Sequence, residues 1–138
     1  MGDGMAKTIL VIDDDPAVLQ AYGRLLRRLG HRVALLADAT RAGEEIARLG
    51  GADLLILDQR MPLVSGLEII AGLGSSGGRA PAILLISGFL SEDLKLRARQ
   101  FGVTEVIEKP VNPENLLRSV RQALASVSVR EGAPGGSP

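Results

Sequence analysis

Five short runs of apolar residues are spaced along the chain, and each is followed by a longer segment with apolar residues at helical spacing. The first, third and fourth runs are nearly unbroken Ile, Leu and Val, which is typical of central strands covered on both faces. The second and fifth runs are more polar, as edge strands tend to be. The predicted strands are residues 8–12, 32–36, 54–57, 83–86 and 105–107.

The segments that follow the five runs predict helices, because apolar side chains recur there every three or four residues. The helical stripes lie within residues 18–29, 39–49, 67–73, 94–101 and 116–127, and glycine follows the first four of them. Five strand–helix units specify an α/β fold with one parallel sheet and helices on both of its faces. Their number and size favour a doubly wound, flavodoxin-like sheet with strand order 2-1-3-4-5.

Both ends of the chain differ from this alternating pattern. Residues 1–6 are short, glycine-containing and aperiodic, and they predict an N-terminal tail. Residues 130–138 read REGAPGGSP, which is the composition of a linker. We therefore predict one domain over residues 7–127, followed by a disordered tail or linker over residues 128–138. A Ser/Gly run at residues 75–78 predicts a flexible loop after the third helix.

The composition excludes several classes of function. The 138 residues include no cysteine, one histidine, one tyrosine and two phenylalanines, and the net charge is zero. Disulfides, thiolate metal sites, multi-histidine zinc sites and Ser/His triads are therefore not expected. Without a basic stripe or stacking aromatics, direct nucleic-acid binding is not expected either. No signal peptide or membrane-spanning run is visible, so the expected location is the cytoplasm.

Four of the predicted strands end in polar residues. Because the strands are parallel, these residues are expected at the same edge of the sheet, where ligands bind in such folds. Asp15 before Pro16 has the pattern of a helix N-cap, which leaves its neighbours for other roles. The polar endings are Asp13-Asp14-Asp15, Asp58, Ser87-Gly88 and Lys109-Pro110.

The chemistry of this group points to a cation and a phosphoryl group. Two carboxylates about 4 Å apart repel by on the order of 4 kcal/mol at an effective dielectric constant near 20. A cluster of Asp13, Asp14 and Asp58 must therefore take up a proton or bind a divalent cation. Hard carboxylate oxygens favour Mg²⁺, which commonly shares its coordination with phosphate oxygens. Asp58 would then be a nucleophile toward phosphorus, with Ser87 and Lys109 stabilising the phosphoryl oxygens.

Five motifs carry a resemblance to a known family. They are ILVIDDD at residues 9–15, LLILDQRMP at 54–62, SGLEII at 65–70, LLISG at 84–88 and IEKP at 107–110. Through these motifs, over about residues 7–127, the chain resembles the receiver domains of two-component response regulators. The resemblance implies a Mg²⁺ site formed by the side chains of Asp13, Asp14 and Asp58 and the backbone carbonyl of Arg60.

The same resemblance implies the roles of three further groups. Asp58 corresponds to the phosphoacceptor, Ser87 to the switch hydroxyl, and Lys109 to the lysine that precedes a cis peptide bond to Pro110. A histidine kinase or histidine phosphotransfer protein is the implied donor, and phosphorylation is expected to change the face formed by the fourth helix, fifth strand and fifth helix. This chain departs from the family at Val106, where a phenylalanine or tyrosine is usual.

Two other functions remain as alternatives. Haloacid dehalogenase-like phosphatases use a similar set of residues, but they need an aspartate where Arg60 stands and a cap domain besides. A pseudo-receiver would bind partners without being phosphorylated. The sequence leaves open whether the domain stands alone or is part of a hybrid kinase or larger regulator. It also leaves open whether its output face serves a homodimer or a different protein.

Overall fold

The computed structural model of the chain describes residues 6–73 and 80–132, with side chains described up to residue 127. Most of the predicted N-terminal tail and the predicted loop at residues 75–78 lie outside the described residues. Within those residues, none of the helices has the length and apolar character needed to cross a membrane.

The described residues form five parallel strands in the order β2-β1-β3-β4-β5, which confirms the predicted fold. The strands are β1 (Thr8–Ile12), β2 (Arg32–Leu36), β3 (Leu54–Asp58), β4 (Ala82–Ser87) and β5 (Glu105–Glu108). The helices are α1 (Pro16–Arg27), α2 (Ala42–Leu49), α3 (Gly66–Leu73), α4 (Glu92–Gln100) and α5 (Pro113–Gly132). A short 3₁₀ turn at Ala39–Arg41 precedes α2.

The core has two layers because side chains alternate between the faces of each strand. Ile9 of β1 and Ile56 of β3 pack with α1 and α5 on one face. Leu10 and Leu55, the neighbouring positions, pack with α2, α3 and α4 on the other. The three central strands are almost fully buried, whereas β2 and β5 are partly exposed at the sheet edges. The prediction of edge and central strands is therefore confirmed.

Helix α5 corrects one predicted boundary. The predicted tail covers residues 128–138, whereas the helix includes residues 128–132 and the remaining residues of the predicted tail lie outside the described part of the chain. The reason is local, since no glycine or proline lies between Pro113 and Gly132, and the next proline is Pro134. A helix with no breaker in its path continues as long as its residues tolerate helical geometry. Residues 128–132, which we assigned by composition to the tail, are therefore helical.

The single histidine has a structural role at the opposite edge of the sheet from the aspartates. The backbone N–H of Lys7 donates to Nδ1 of His31 at 3.0 Å, just before β1 and β2 begin. Burial lowers the pKa of His31, which favours the neutral ring that can accept this bond. The N–H of Thr8 donates to Oδ2 of Asp53 at 2.8 Å. Side chains from the segments before β2 and β3 therefore hold the start of β1 on both sides.

Candidate functional site

Three aspartates meet at the carboxyl edge of the sheet because β1 and β3 are neighbours. Ile12 pairs with Leu57, so the residues that follow them, Asp13 and Asp58, leave the sheet side by side. One carboxylate oxygen each from Asp13, Asp14 and Asp58 lies within 4.8 Å of the others. Asp13 and Asp58 are each 5% exposed, and Asp14 is exposed to solvent. The predicted cluster therefore contains two buried carboxyl groups and one that solvent can reach.

The turn after β1 separates the three consecutive aspartates by function. Oδ1 of Asp15 accepts from the N–H of Ala17 at 2.9 Å, and Pro16 occupies the first turn of α1. The predicted N-cap is therefore confirmed. Oδ1 of Asp13 accepts from the N–H of Asp15 at 2.9 Å, which fixes the direction of the Asp13 side chain. The turn thus directs the Asp15 carboxylate to the N-terminus of α1 and the Asp13 carboxylate into the cluster.

Lys109 supplies the positive charge of the site. Its Nζ lies 2.7 Å from Oδ1 of Asp58 in an ion pair. Its backbone N–H donates to the carbonyl of Ser87 at 2.9 Å, and the peptide bond to Pro110 is cis, as the resemblance implied. The charged contact with Asp58 is the main reason that the pKa of Lys109 is raised, with smaller contributions from Asp13 and Asp14. Lys109 is therefore a stable cation at neutral pH.

The site has an excess of negative charge that the lysine does not cancel. Burial, followed by the charges of Asp58 and Asp14, raises the pKa of Asp13, against the opposing effects of the Asp15 N–H and Lys109. Burial and the charges of Asp13 and Asp58 also raise the pKa of Tyr22, on α1, to about 12. Beyond the effect of burial, neighbouring carboxylates contribute to both shifts, so further negative charge at the site is disfavoured.

These residues fit a magnesium ion. The donors are carboxylate oxygens with no sulfur or imidazole among them, which is the ligand type that Mg²⁺ prefers. Oδ1 of Asp58 is shielded from solvent and accepts no regular hydrogen bond within the described parts of the chain, leaving Lys109 as its charged neighbour. Three carboxylates that share the ammonium of Lys109 form a site that a small divalent cation would stabilise.

The Ser87 hydroxyl is directed toward the loop after β4. It donates to the carbonyl of Phe89 at 2.9 Å and accepts from the N–H of the same residue at 3.2 Å. Ser87 is 7% exposed and lines a cavity of about 620 Å³ together with Arg60, Lys109 and Phe89. The structure thus places Ser87 and Arg60 at the same edge as the aspartates. Residue type and spacing did not indicate that the backbone of Phe89 is hydrogen-bonded to this hydroxyl.

Gly66, the first residue of α3, is a further residue of the site that residue type and spacing did not single out. A Cβ atom on Gly66 would lie 2.7 Å from Cδ1 of Leu85 and 2.8 Å from the carbonyl oxygen of Asp58. The N–H of Gly66 also donates to the carbonyl of Gln59 at 3.0 Å. The glycine in the SGLEII motif was the available signal, because a required glycine marks a close backbone approach. The lack of a side chain at Gly66 therefore lets the start of α3 pack directly against the backbone of Asp58 and the side chain of Leu85.

We expect Gly66→Ala to lower the free energy of unfolding by about 1–3 kcal/mol, the usual cost of forcing an extra methyl group into a packed site. Gly72→Ala, in the same helix, is the matched control because nothing lies within 4 Å of its added Cβ. The control should be unchanged or more stable by less than about 1 kcal/mol, since alanine favours helices. Urea denaturation measures both variants. Equal stability of the two would contradict the proposed close packing.

We expect Asp13→Asn to raise stability in magnesium-free buffer at neutral pH. The pKa of Asp13 is raised above 3.8, so the folded state disfavours its charged form, and an amide removes that cost. Because the folded state binds the extra proton, the advantage of the variant should shrink as pH falls and vanish below about pH 3.8. Denaturation at several pH values measures this difference.

Magnesium should make the wild type more stable than the Asp13→Asn variant, which reverses their order of stability in magnesium-free buffer. A ligand that binds only the folded state raises its stability, so Mg²⁺ should raise the melting temperature of the wild type more than that of Asp13→Asn. Asp38→Asn is the control, because this exposed aspartate caps the 3₁₀ turn through an oxygen that asparagine retains. An Asp13→Asn variant that is less stable than the wild type without magnesium would contradict the assigned cost of burying the Asp13 carboxylate beside other carboxylates.

Comparison with known proteins shows the same family over most of the chain. The sequence model of the response regulator receiver domain matches residues 9–121. Response regulator protein TmoT of Ectopseudomonas mendocina is 36% identical over 127 residues, which are 91% of this chain and 57% of that protein. Response regulator MprA of Mycobacterium sp. (strain KMS) is 34% identical over 128 residues, which are 93% and 55% of the two chains. The chain thus spans about half the length of these curated relatives.

Solved structures show the same fold. Chemotaxis protein CheY4 of Vibrio cholerae is similar with a TM-score of 0.80 and 26% identity, over 87% of this chain and 100% of that one. A response regulator receiver domain protein from Clostridium thermocellum has a TM-score of 0.79 and 26% identity, over 91% and 98% of the two chains. Both are similar to this chain across the sheet and its covering helices.

Proposed function

Because this chain belongs to the receiver-domain family of response regulators, we propose that it accepts a phosphoryl group on the carboxylate of Asp58. The observation that carries the proposal is the position of this carboxylate. It is buried, 2.7 Å from the Lys109 ammonium, and grouped with the carboxylates of Asp13 and Asp14. A carboxylate held beside a fixed cation is positioned to attack phosphorus, and the cation can compensate the negative charge of the transferred phosphoryl group.

The residues divide the reaction between them. A carboxylate oxygen of Asp58 forms a bond to phosphorus while the bond from phosphorus to the donor nitrogen breaks, and the electron pair leaves with the donor imidazole. The Lys109 ammonium neutralises charge on the transferred oxygens. The Ser87 hydroxyl can rotate from Phe89 to donate to one of those oxygens. When bound by Asp13, Asp14, Asp58 and the carbonyl of Arg60, Mg²⁺ would supply additional charge neutralisation.

Receiver domains are signalling modules, and the residue at position 60 supports that role over turnover of an external phosphate ester. Arg60 is two residues after Asp58 and lies in the same cavity as Ser87 and Lys109. An aspartate at that position would provide the proton transfers that a phosphatase needs, and a guanidinium does not. The phosphorylated state would therefore persist long enough to be read by another protein.

We further propose that the donor is a histidine kinase or a histidine phosphotransfer protein, and that the transfer takes place in the cytoplasm. A phosphohistidine carries its phosphorus at the tip of a protruding ring, which suits a carboxylate recessed at a sheet edge. The matched residues make up only 57% and 55% of the two relatives, so we assign the output step to a region or protein other than the domain described above.

The test is phosphorylation by a small phosphodonor followed by intact-protein mass spectrometry. Acetyl phosphate with Mg²⁺ should add one phosphoryl group, and the same reaction with EDTA should add none. Hydroxylamine should remove the group, because it cleaves acyl phosphates and leaves phosphate esters intact. A protein that gains no mass, or that retains the group after hydroxylamine, would refute the proposed function.

A further inference from the structure

The first turn of α3 has its backbone donors satisfied from two separate places. A helix begins with N–H groups that have no partner within the helix itself. Ser65, directly before α3, takes two of them: its hydroxyl accepts from the N–H of Glu68 at 3.1 Å, and its carbonyl accepts from the N–H of Ile69 at 3.1 Å. This is an ordinary local cap, and it leaves the first two N–H groups of the helix to other acceptors.

Gln59 accepts from those two donors, although it lies at the end of β3. Its side-chain Oε1 accepts from the N–H of Leu67 at 3.0 Å, and its carbonyl accepts from the N–H of Gly66 at 3.0 Å. Its own N–H donates to the carbonyl of Ile86 in β4 at 2.8 Å. Three hydrogen bonds therefore fix both the backbone and the side chain of the residue that directly follows Asp58.

The loop that Gln59 closes, residues 60–65, contains a strained turn. The N–H of Val64 donates to the carbonyl of Pro62 at 2.8 Å, and Leu63 between them has φ 74°. A three-residue turn of this kind is rare and strained for a residue with a side chain. Such strain persists only where the surrounding structure holds the chain in place. The bonds of Gln59 hold the base of this loop.

The same bonds set the direction of the backbone at Arg60, whose carbonyl is the oxygen proposed for Mg²⁺. The Arg60 side chain is exposed and does not anchor its own residue. Its two neighbours do, because Gln59 is bonded to α3 and β4, and the side chain of Met61 is 9% exposed within the core. Mg²⁺ requires near-ideal octahedral geometry, so it depends on oxygens that are already in place.

We infer that Gln59 is a positioning residue for the Mg²⁺ site. By capping α3, it fixes the backbone after Asp58, and so holds the Asp58 carboxylate and the Arg60 carbonyl in the arrangement that binds the ion. Its amide oxygen is already bonded to Leu67, so it acts through the backbone of residues 58–60. This inference rests on the Mg²⁺ site of the proposed function and adds the residue that keeps that site in shape.

The test compares Gln59→Met with the wild type, because methionine keeps the length of the side chain and removes the acceptor oxygen. Thermal denaturation at increasing Mg²⁺ concentration gives the apparent dissociation constant of the ion. We expect this constant to rise about tenfold, as is usual when a group that holds a metal ligand in place is lost. With acetyl phosphate, the Mg²⁺ concentration for half-maximal rate should rise by the same factor. The rate at saturating Mg²⁺ should be nearly unchanged.

Two further variants separate this role from a general weakening of α3. Ser65→Ala removes the local side-chain cap of the same helix, so it should lower the melting temperature and leave the Mg²⁺ affinity unchanged. Gln59→Glu keeps an acceptor oxygen for Leu67 and should bind Mg²⁺ at least as tightly as the wild type. Wild-type affinity in Gln59→Met, an equal loss of affinity in Ser65→Ala, or a Gln59→Glu variant as weak as Gln59→Met would overturn the inference.

The outcomes for Gln59 and for the proposed function are distinguishable. If acetyl phosphate phosphorylates the wild type while Gln59→Met binds Mg²⁺ normally, the proposed function stands and only the positioning role fails. If the wild type gains no phosphoryl group, the proposed function fails, and the Mg²⁺ affinities still decide the role of Gln59. A wild type whose melting temperature does not respond to Mg²⁺ would overturn the positioning role as well.

Discussion

Asp58→Asn is expected to abolish phosphoryl incorporation from acetyl phosphate while leaving the protein folded. The amide has no anionic oxygen to attack phosphorus, and it breaks the 2.7 Å ion pair with Lys109. Asparagine has nearly the same shape as aspartate, so the buried site at the end of β3 should remain packed. Intact-mass measurement after incubation with acetyl phosphate and Mg²⁺ gives the incorporated amount. Circular dichroism reports the fold.

The matched control for this variant is Asp15→Asn. Asp15 follows the acidic cluster directly, but its side chain caps α1 by accepting from the Ala17 N–H. Asparagine caps helices about as well as aspartate does. The control should therefore incorporate one phosphoryl group at nearly the wild-type rate. Equal incorporation by Asp58→Asn and the wild type would assign the phosphoacceptor to another residue.

Lys109→Met is expected to slow phosphorylation by about a hundredfold, the usual cost of removing one charged or hydrogen-bonding group that stabilises a transition state. Methionine keeps the length of the apolar stem, so the variant removes the ammonium and little else. Without it, three carboxylates at one edge of the sheet lose their nearby cation. The rate of mass gain with acetyl phosphate and saturating Mg²⁺ measures the effect.

Lys95→Met serves as the control for loss of a lysine. Lys95 lies on α4, where its ammonium is 3.2 Å from an exposed carboxylate of Glu92, one turn away on the same helix. Exposed pairs of this kind contribute little to stability. This variant should react at the wild-type rate. If Lys109→Met also keeps that rate, the contact between Lys109 and Asp58 is structural and has no part in phosphoryl transfer.

The fold follows from the sequence because buried parallel strands leave a strong pattern. Runs such as Leu54–Asp58 are apolar at every position but the last, which both faces of a covered sheet require. The polar residue that ends such a run then marks the ligand-binding edge. Strand order also follows, since short strand–helix units permit few topologies. The positions of Asp13 and Asp58 could therefore be predicted before any coordinates were considered.

The finer geometry of the site does not follow from residue type and spacing. Whether the Ser87 hydroxyl points to Asp58 or to Phe89 depends on one rotatable bond and on the path of the loop after β4. The need for glycine at position 66 depends on how closely α3 approaches Leu85, which is a contact between distant parts of the chain. Contacts between distant parts of the chain determine the directions of these side chains. The local pattern of apolar and polar residues carries little information about such contacts.

The length of α5 has a mechanical consequence. A continuous helix of 20 residues measures about 30 Å from end to end. Its buried residues from Leu116 to Val127 fix it to the sheet face that also carries α1. A small change in the tilt of this buried part would therefore displace the helix end at residue 132 by an amount that grows with its distance from the contact with the sheet.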